Sequence, residues 1–171
     1  WKPADFSQLL GCEDYQVSAL THHYQTPGLG VSLVALRQAC HEETYHRRQQ
    51  PFAVTAVLRP ADALGEQLSS GTPVTEAVLE FYNPSLFHSM PVGTRTLPLQ
   101  RDLTAPFVYV AKESSRGYLE GFLDPGETDV RPKLMMMEPY QRGKIPVIFI
   151  HGLLSDPTTW LDAANELRAQ R

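Results

Sequence analysis

Four stretches of the chain place histidine, glycine or acidic residues where a metal ion or a phosphate could bind. The most suggestive of them, His41–His46, has the composition of a zinc-protease motif, which needs two histidines four residues apart on one helical face. Here the two histidines are five residues apart, with Tyr45 in the ligand position, so they diverge around a helix. We therefore expect this segment to be a loop with charged surface residues.

The other three stretches also lead to structural rather than chemical predictions. The pair His22-His23 is expected in a solvent-exposed loop, and Gly28-Leu29-Gly30 is expected to be a turn that leads into a strand. The remaining glycines of a phosphate-binding fingerprint are missing after Gly30. The acidic segment Asp124–Asp129 lacks the alternating oxygen ligands of a calcium loop, so we expect a plain turn there. The sequence predicts no metal and no cofactor.

A different kind of signal lies near the C-terminal end, in residues 145–160. Residues 145–150 (Ile-Pro-Val-Ile-Phe-Ile) form a short apolar run, which predicts a strand buried on both faces, as in a parallel sheet. Pro146 fits only at the start of such a strand. After His151-Gly152, Asp156 is a suitable N-cap and Pro157 suits the first helical position. The pattern predicts a strand, a polar loop and a helix.

The predicted helix is amphipathic. Its apolar residues recur at helical spacing and are expected to face the core, whereas its polar residues fall on the other side. The apolar set is Trp160, Ala163, Ala164 and Leu167, and the polar set is Asp162, Asn165, Glu166 and Arg168.

Residues 145–160 resemble the α/β-hydrolase family, in which the third sheet strand commonly runs into a His-Gly-x loop and then a helix. The resemblance implies that this loop stabilises the oxyanion formed when a nucleophilic serine attacks an ester or amide carbonyl. By position, the backbone N–H of Leu153 would be the oxyanion donor, and Gly152 would allow the turn and the close approach of a substrate. One such donor is worth about 3 kcal/mol.

The resemblance also assigns roles to the neighbouring side chains. In this fold the catalytic order along the chain is serine, acid, histidine, so His151 would brace the loop by hydrogen bonds and would not be the base. Leu154 and Trp160 could line a substrate pocket, although both are equally suited to a core. Ser155 has no Gly-x-Ser-x-Gly around it, and we expect it to cap the helix start.

The nucleophile motif of the family does not occur in the 171 residues. Gly30-Val-Ser32-Leu-Val34 lacks the second glycine of Gly-x-Ser-x-Gly. We therefore expect the chain to be the N-terminal part of a longer hydrolase, truncated before the nucleophile elbow and inactive by itself. The expected domains are a β-rich accessory region over 1–104 and the start of the hydrolase domain over 105–171.

Short strand-like segments separated by glycine and proline turns predict an antiparallel sheet or a small sandwich in the N-terminal region. The predicted strands there are Val31–Leu36, Phe52–Leu58, Glu76–Tyr82 and Thr94–Leu99, with a helical turn at Asp5–Leu10 and a short helix at Pro60–Leu68. Three further predicted strands, Phe107–Ala111, Tyr118–Leu123 and Leu134–Met137, could open the hydrolase sheet.

Composition narrows the class of protein. Hydrophobic residues make up 42% and charged residues 20%, which is typical of a globular protein that buries a core. The net charge is −4 and no basic patch appears, so nucleic acid is not an expected partner. No apolar run is long enough for a transmembrane helix. Cys12 and Cys40 allow at most one disulfide, and the first residue is Trp1 rather than Met, so the compartment stays open.

The leading hypothesis is therefore a serine-dependent carboxylic ester hydrolase of esterase or lipase type, with an acyl ester or lipid as substrate. Its other expected partner is the C-terminal remainder of the hydrolase domain. Two alternatives stay open at this point. One is a non-catalytic β-sandwich binding module, and the other is a hydrolase-fold protein that lacks the nucleophile, because a fold alone does not fix a function.

Overall fold

The computed structural model describes residues 2–15, 20–38, 49–60, 69, 76–112, 142–152, 155 and 157–169. Strands dominate the described part of the chain. They are β1 (Gln8–Gly11), β2 (Gln25–Thr26), β3 (Val31–Gln38), β4 (Gln49–Pro60), β5 (Ala77–Tyr82), β6 (Ser89–Val92), β7 (Arg95–Pro98) and β8 (Arg101–Asp102). Residues 105–112 form helix α1, and Leu161–Ala169 form helix α2. Short 3₁₀ turns cover Pro3–Asp5, Cys12–Tyr15 and Pro157–Trp160.

The main sheet is antiparallel, with the strand order β1-β3-β4-β5. Val34 lies opposite Ala53, and Ala35 lies opposite Phe52. Because successive side chains of a strand point to opposite faces, these two pairs lie on different faces of the sheet. All four side chains are buried, so the centre of the sheet is covered on both sides.

Three apolar clusters cover these faces. On one face, Ala35, Val54 and Phe81 pack together, and the ring of Phe6 meets that of Phe81 edge-on at 6.0 Å. On the other face, the hairpin β6–β7 contributes Met90 to a cluster with Val57 and Leu99.

The third cluster lies on that same second face and joins the sheet to both helices. Val34 and Leu36 of β3 pack against Phe107 and Val110 of α1, and Leu161 of α2 closes the cluster. The cluster therefore draws residues from both sides of the expected domain boundary at 104–105, which stays a prediction.

Three predicted strands are confirmed. Val31–Leu36 lies within β3, Phe52–Leu58 lies within β4, and Glu76–Tyr82 matches β5. The prediction over Thr94–Leu99 corresponds to β7, Arg95–Pro98, which pairs only with β6 among the described strands. The local sequence was sufficient here because these strands pair with neighbours close in sequence.

Two predicted elements within the described part of residues 1–112 are wrong. Asp5–Leu10 is not a helical turn, because the 3₁₀ turn ends at Asp5 and β1 begins at Gln8. Phe107–Ala111 is not a strand but part of α1. Its apolar run is buried on several sides, so its periodicity does not distinguish helix from strand.

The buried carboxylate of Asp102 explains why a helix begins at residue 105. Asp102 Oδ1 accepts hydrogen bonds from the backbone N–H groups of Thr104 at 2.9 Å and Ala105 at 2.8 Å. These N–H groups have no partner inside a helix, and a side-chain acceptor satisfies them. Pro106 follows at a first-turn position, where its missing N–H costs nothing.

The predicted helix Pro60–Leu68 and the predicted strands Tyr118–Leu123 and Leu134–Met137 lie outside the described residues, as do the segments His41–His46 and Asp124–Asp129. Among the helices of the described part, none has the length and apolar character needed to cross a membrane.

Candidate functional site

Residues 145–150 do not form the predicted buried strand in this structure. They carry no regular secondary structure, and their large side chains are exposed, with Ile145 at 89% and Ile148 at 70%. The physical reason is the lack of a neighbour: no described strand pairs with them, and a single strand is not stable without pairing. The large side chains of the apolar run are thus exposed to solvent.

In the loop after this run, two groups donate hydrogen bonds to one carbonyl oxygen. His151 Nδ1 donates to Gly152 O at 3.1 Å, and the backbone N–H of Ser155 donates to the same oxygen at 3.3 Å. His151 and Gly152 are both exposed. A Cβ added at Gly152 would meet nothing within 4 Å, so the described residues leave open space beside it. The assigned roles of His151 and Gly152 stay predictions.

Leu153 and Leu154, the proposed oxyanion donor and a pocket residue, lie outside the described residues, and so does Asp156. Ser155 uses its hydroxyl in a 2.8 Å hydrogen bond with the hydroxyl of Thr159, one turn further along the chain. The Ser155 side chain thus contacts the 3₁₀ turn Pro157–Trp160, which begins at the predicted proline.

Trp160 connects the two sides of this loop. Its indole Nε1–H donates to the carbonyl oxygen of Ile150 at 3.1 Å. Its ring lies beside that of Phe149, with 5.7 Å between the centroids and an angle of 36° between the planes. The start of the helix is therefore held against the end of the apolar run, on both sides of His151-Gly152. The substrate-lining role of Trp160 stays a prediction.

The predicted orientation of the helix is wrong. Leu161 and Asn165 are the buried residues of α2, and Asn165 is 0% exposed, whereas Trp160 and Leu167 of the predicted apolar face are exposed. Leu161 and Asn165 are four residues apart and share one face of the helix. That face points to the third apolar cluster and to the segment Thr21–Tyr24, which supplies polar partners for the buried amide.

Asn165 sits at the centre of a polar network between α2, α1 and the N-terminal part of the chain. Its Nδ2 donates to the carbonyl oxygen of His22 at 2.8 Å, and its Oδ1 lies 3.5 Å from the hydroxyl of Thr104. Thr104 Oγ1 in turn accepts from the backbone N–H of Tyr24 at 2.8 Å. A buried amide needs such partners, because an unsatisfied one costs about 1–3 kcal/mol.

Two carboxylates of α2 extend this network toward the surface. Asp162 accepts two hydrogen bonds from Thr21, one from its hydroxyl at 2.7 Å and one from its backbone N–H at 3.1 Å. Glu166 accepts from Tyr24 OH at 2.9 Å and contacts His22 Nδ1 at 2.5 Å. We call this set, with Thr104 and Asn165, the helix-docking network.

The network changes the acidity of two of its members. The hydrogen bonds from Thr21 lower the pKa of Asp162, because they stabilise its carboxylate. Loss of hydration, together with the neighbouring carboxylate of Glu166, raises the pKa of Tyr24, so its hydroxyl keeps its proton and acts as the donor. Both effects favour the observed direction of the hydrogen bonds.

Sequence reasoning missed this network. It predicted that His22-His23 lies in an exposed loop; His22 is indeed exposed, but it is bonded to Glu166. The available signal was the spacing of Asp162, Asn165 and Glu166, which share one helix face. Within the described ranges, no group of three or more histidine, cysteine or acidic side chains is placed to hold a metal ion.

Comparisons of the chain with protein-family models, with curated proteins and with solved structures find no match. The resemblance to α/β-hydrolases therefore rests on residues 145–160.

Proposed function

We propose that this chain supplies the oxyanion-hole loop of a serine-dependent carboxylic ester hydrolase of esterase or lipase type. The observation that carries the proposal is the order of elements in residues 145–169: an apolar run, a His-Gly loop and a helix that follows Pro157. The substrate class that fits this chemistry is an acyl ester, including a lipid ester.

In the proposed reaction a serine hydroxyl attacks the ester carbonyl and forms a tetrahedral intermediate. The carbonyl oxygen becomes an oxyanion, which the backbone N–H of Leu153 and a second donor stabilise. Collapse of the intermediate releases the alcohol, and water then releases the acid from the acyl-enzyme. The 171 residues contain no Gly-x-Ser-x-Gly. In the proposed enzyme, the nucleophile, the acid and the base would therefore lie outside these residues.

The composition of the exposed run at 145–150 supports the proposal that these residues form a strand of a larger sheet in the complete enzyme. As an extended strand the run would be apolar on both faces, with Val147 and Phe149 on one and Ile148 and Ile150 on the other. Such a composition is typical of a strand covered by helices on both sides. In the proposed enzyme, neighbouring strands would pair with this backbone and bury these side chains.

Two contacts hold the described chain on either side of the proposed donor. An oxyanion donor is effective when it is fixed before the reaction, so that nothing reorganises as charge develops. Trp160 holds the residue before the loop, and the helix-docking network holds the helix after it. Both anchors act on backbone that flanks Leu153.

A pair of substitutions at Leu153 tests the proposal. Leu153→Pro removes the backbone N–H, whereas Leu153→Ala removes most of the side chain and keeps the N–H. In the full-length enzyme that carries the substitution, we expect Leu153→Pro to lower the rate of ester hydrolysis by about 100- to 1000-fold. Leu153→Ala should stay within a few-fold of the parent. Equal activity of the two variants, with unchanged circular dichroism, would remove Leu153 from the oxyanion hole.

A further inference from the structure

Strand β5 forms an open edge of the main sheet. The sheet order ends at β5, and its pairing with β4 runs without interruption from Ala77 opposite Pro60 to Tyr82 opposite Thr55. Among the described residues, no backbone group pairs with the outer side of β5. Natural proteins commonly protect such an edge with lysine, proline or a bulge. The sequence Ala-Val-Leu-Glu-Phe-Tyr has none of these protective features.

The edge continues into an exposed apolar surface. Leu58 of β4 lies directly opposite Leu79 of β5, and their exposed fractions are 68% and 50%. Val31 of β3 lies on the same face one row away, opposite Ala56, and is also exposed. We call Val31, Leu58 and Leu79 the edge patch. A group of large exposed aliphatic side chains beside an open edge is typical of an interaction surface.

We propose that β5 binds the β5 strand of a second copy of this chain, antiparallel and about a two-fold axis, with Leu79 opposite the partner's Leu79. Two identical strands are complementary to each other in this arrangement, because each supplies the donors and acceptors that the other lacks. The two four-stranded sheets would then form one continuous sheet. This inference does not depend on the proposed enzymatic function.

The charges of β5 disfavour the two neighbouring registers, which are centred on Glu80 and on Val78. Directly opposite residues of antiparallel strands share a face, so a two-fold pairing is centred on a residue of the strand. Centring on Glu80 would place two carboxylates opposite each other, and centring on Val78 would place Glu76 opposite the partner's Glu80. Like charges directly opposite are destabilising. Centring on Leu79 places Val78 opposite the partner's Glu80 and Glu76 opposite the partner's Tyr82.

The carboxylate of Glu80 is bound within its own chain. Glu80 Oε2 lies 3.0 Å from Arg59 Nη2 and accepts a hydrogen bond from Tyr82 OH at 2.6 Å. In the Leu79-centred register these contacts stay intact, because Glu80 lies opposite the partner's Val78. On the opposite face, the Leu79-centred register aligns Leu58, Leu79, the partner's Leu79 and the partner's Leu58 in one apolar row.

Sedimentation equilibrium of the 171-residue chain tests the proposal. We expect the mean mass to rise from one chain to two as the concentration increases from about 1 to 100 µM. Leu79→Lys places two lysines opposite each other and should keep the chain monomeric over this range. Two matched controls alter exposed apolar residues elsewhere: Leu86→Lys and Ile148→Lys should dimerise like the parent.

Cysteine cross-linking tests the register independently of the lysine variant. Directly opposite residues have Cα atoms about 4.5–5.5 Å apart, within disulfide range, so Leu79→Cys should form a covalent dimer on oxidation. Val78→Cys is offset by two residues from its copy, beyond the limit of about 7 Å, and should cross-link no more than the parent chain.

Three results would overturn the proposal. The first is a parent chain that stays monomeric over the whole concentration range. The second is self-association that Ile148→Lys abolishes and Leu79→Lys does not, which would move the contact to residues 145–150. The third is equal cross-linking of Leu79→Cys and Val78→Cys.

Discussion

The side-chain amide of Asn165 donates a hydrogen bond to the backbone carbonyl of His22 at 2.8 Å, which joins residues 143 positions apart in the chain. Asn165 is completely buried, although its neighbours Asp162 and Glu166 reach the surface. This contact sets which face of α2 meets the rest of the protein. It also fixes the helix that follows the His151-Gly152 loop.

Removal of this amide should destabilise the chain. Asn165→Ala leaves the His22 carbonyl without its donor and creates a small cavity, so we expect a loss of about 2 kcal/mol in the free energy of unfolding. Leu167→Ala, on the exposed face of the same helix, should cost less than about 0.5 kcal/mol. Urea unfolding measures both, and equal losses would show that the buried contact does not hold α2.

The start of α1 should depend on the carboxylate of Asp102. Asp102→Ala removes the acceptor for two backbone N–H groups and for the side chain of Gln25, whose Nε2 donates to Oδ2 at 2.8 Å. We expect it to cost about 2 kcal/mol. Asp102→Asn keeps an oxygen for the backbone N–H groups and should lose about 1 kcal/mol or less. Thermal unfolding separates the two, and the reverse order would contradict the capping role.

Cys12 should be unreactive while the protein is folded. Burial raises the pKa of its thiol from 9.0 to about 12, and the carboxylates of Asp102 and Glu13 add to the effect. The neutral thiol is a poor nucleophile, so iodoacetamide at about pH 8 should leave Cys12 unmodified until urea is added. Peptide mass mapping distinguishes it from Cys40. Rapid modification of Cys12 in the native chain would contradict this prediction.

The same shift has a defined effect on stability at high pH. The folded state disfavours the thiolate, so the thiol contributes fully below about pH 9 and its contribution is lost as the pH rises toward 12. The stability of the parent chain should therefore fall relative to that of Cys12→Ala across this interval. Parallel curves for the two proteins would show that Cys12 does not ionise differently on unfolding.

The backbone of residues 145–150 should exchange its amide hydrogens rapidly. No described residue accepts a hydrogen bond from these amides, whereas the amides at the centre of β3 and β4 are paired and buried. Hydrogen exchange with mass spectrometry should show full deuteration of Val147, Ile148 and Phe149 at the earliest times and protection of Val34 and Val54. Slow exchange at 147–149 would show that these residues pair with a strand in the isolated chain.

The strands β3, β4 and β5 could be predicted from sequence because the information is local. Apolar and polar residues alternate in β5, whereas β3 and β4 contain short apolar runs, and glycine and proline mark the ends of the strands. The prediction for 145–150 used the same kind of signal, but a strand forms only where a neighbour provides hydrogen bonds. The composition of the run is compatible with a buried strand, but no described strand pairs with it.

The two helices show what the sequence could not reveal. The apolar run in α1 suits either a strand or a helix, and the carboxylate of Asp102 decides in favour of the helix. The buried face of α2 is decided by Asn165, whose partners His22 and Thr104 lie 143 and 61 residues away. A prediction from hydrophobicity assigns polar residues to the surface. It therefore fails for a buried polar residue whose hydrogen-bond partners are distant in the sequence.

Fluorophosphonate labelling of the protein from its native source, with mass mapping of the modified peptide, tests the central claim most directly. The reagent modifies an activated serine. We expect a single label on a serine outside these 171 residues, with a strong loss of labelling in Leu153→Pro. A protein that takes no label, or that is labelled on Ser155 or another serine within these residues, would contradict it.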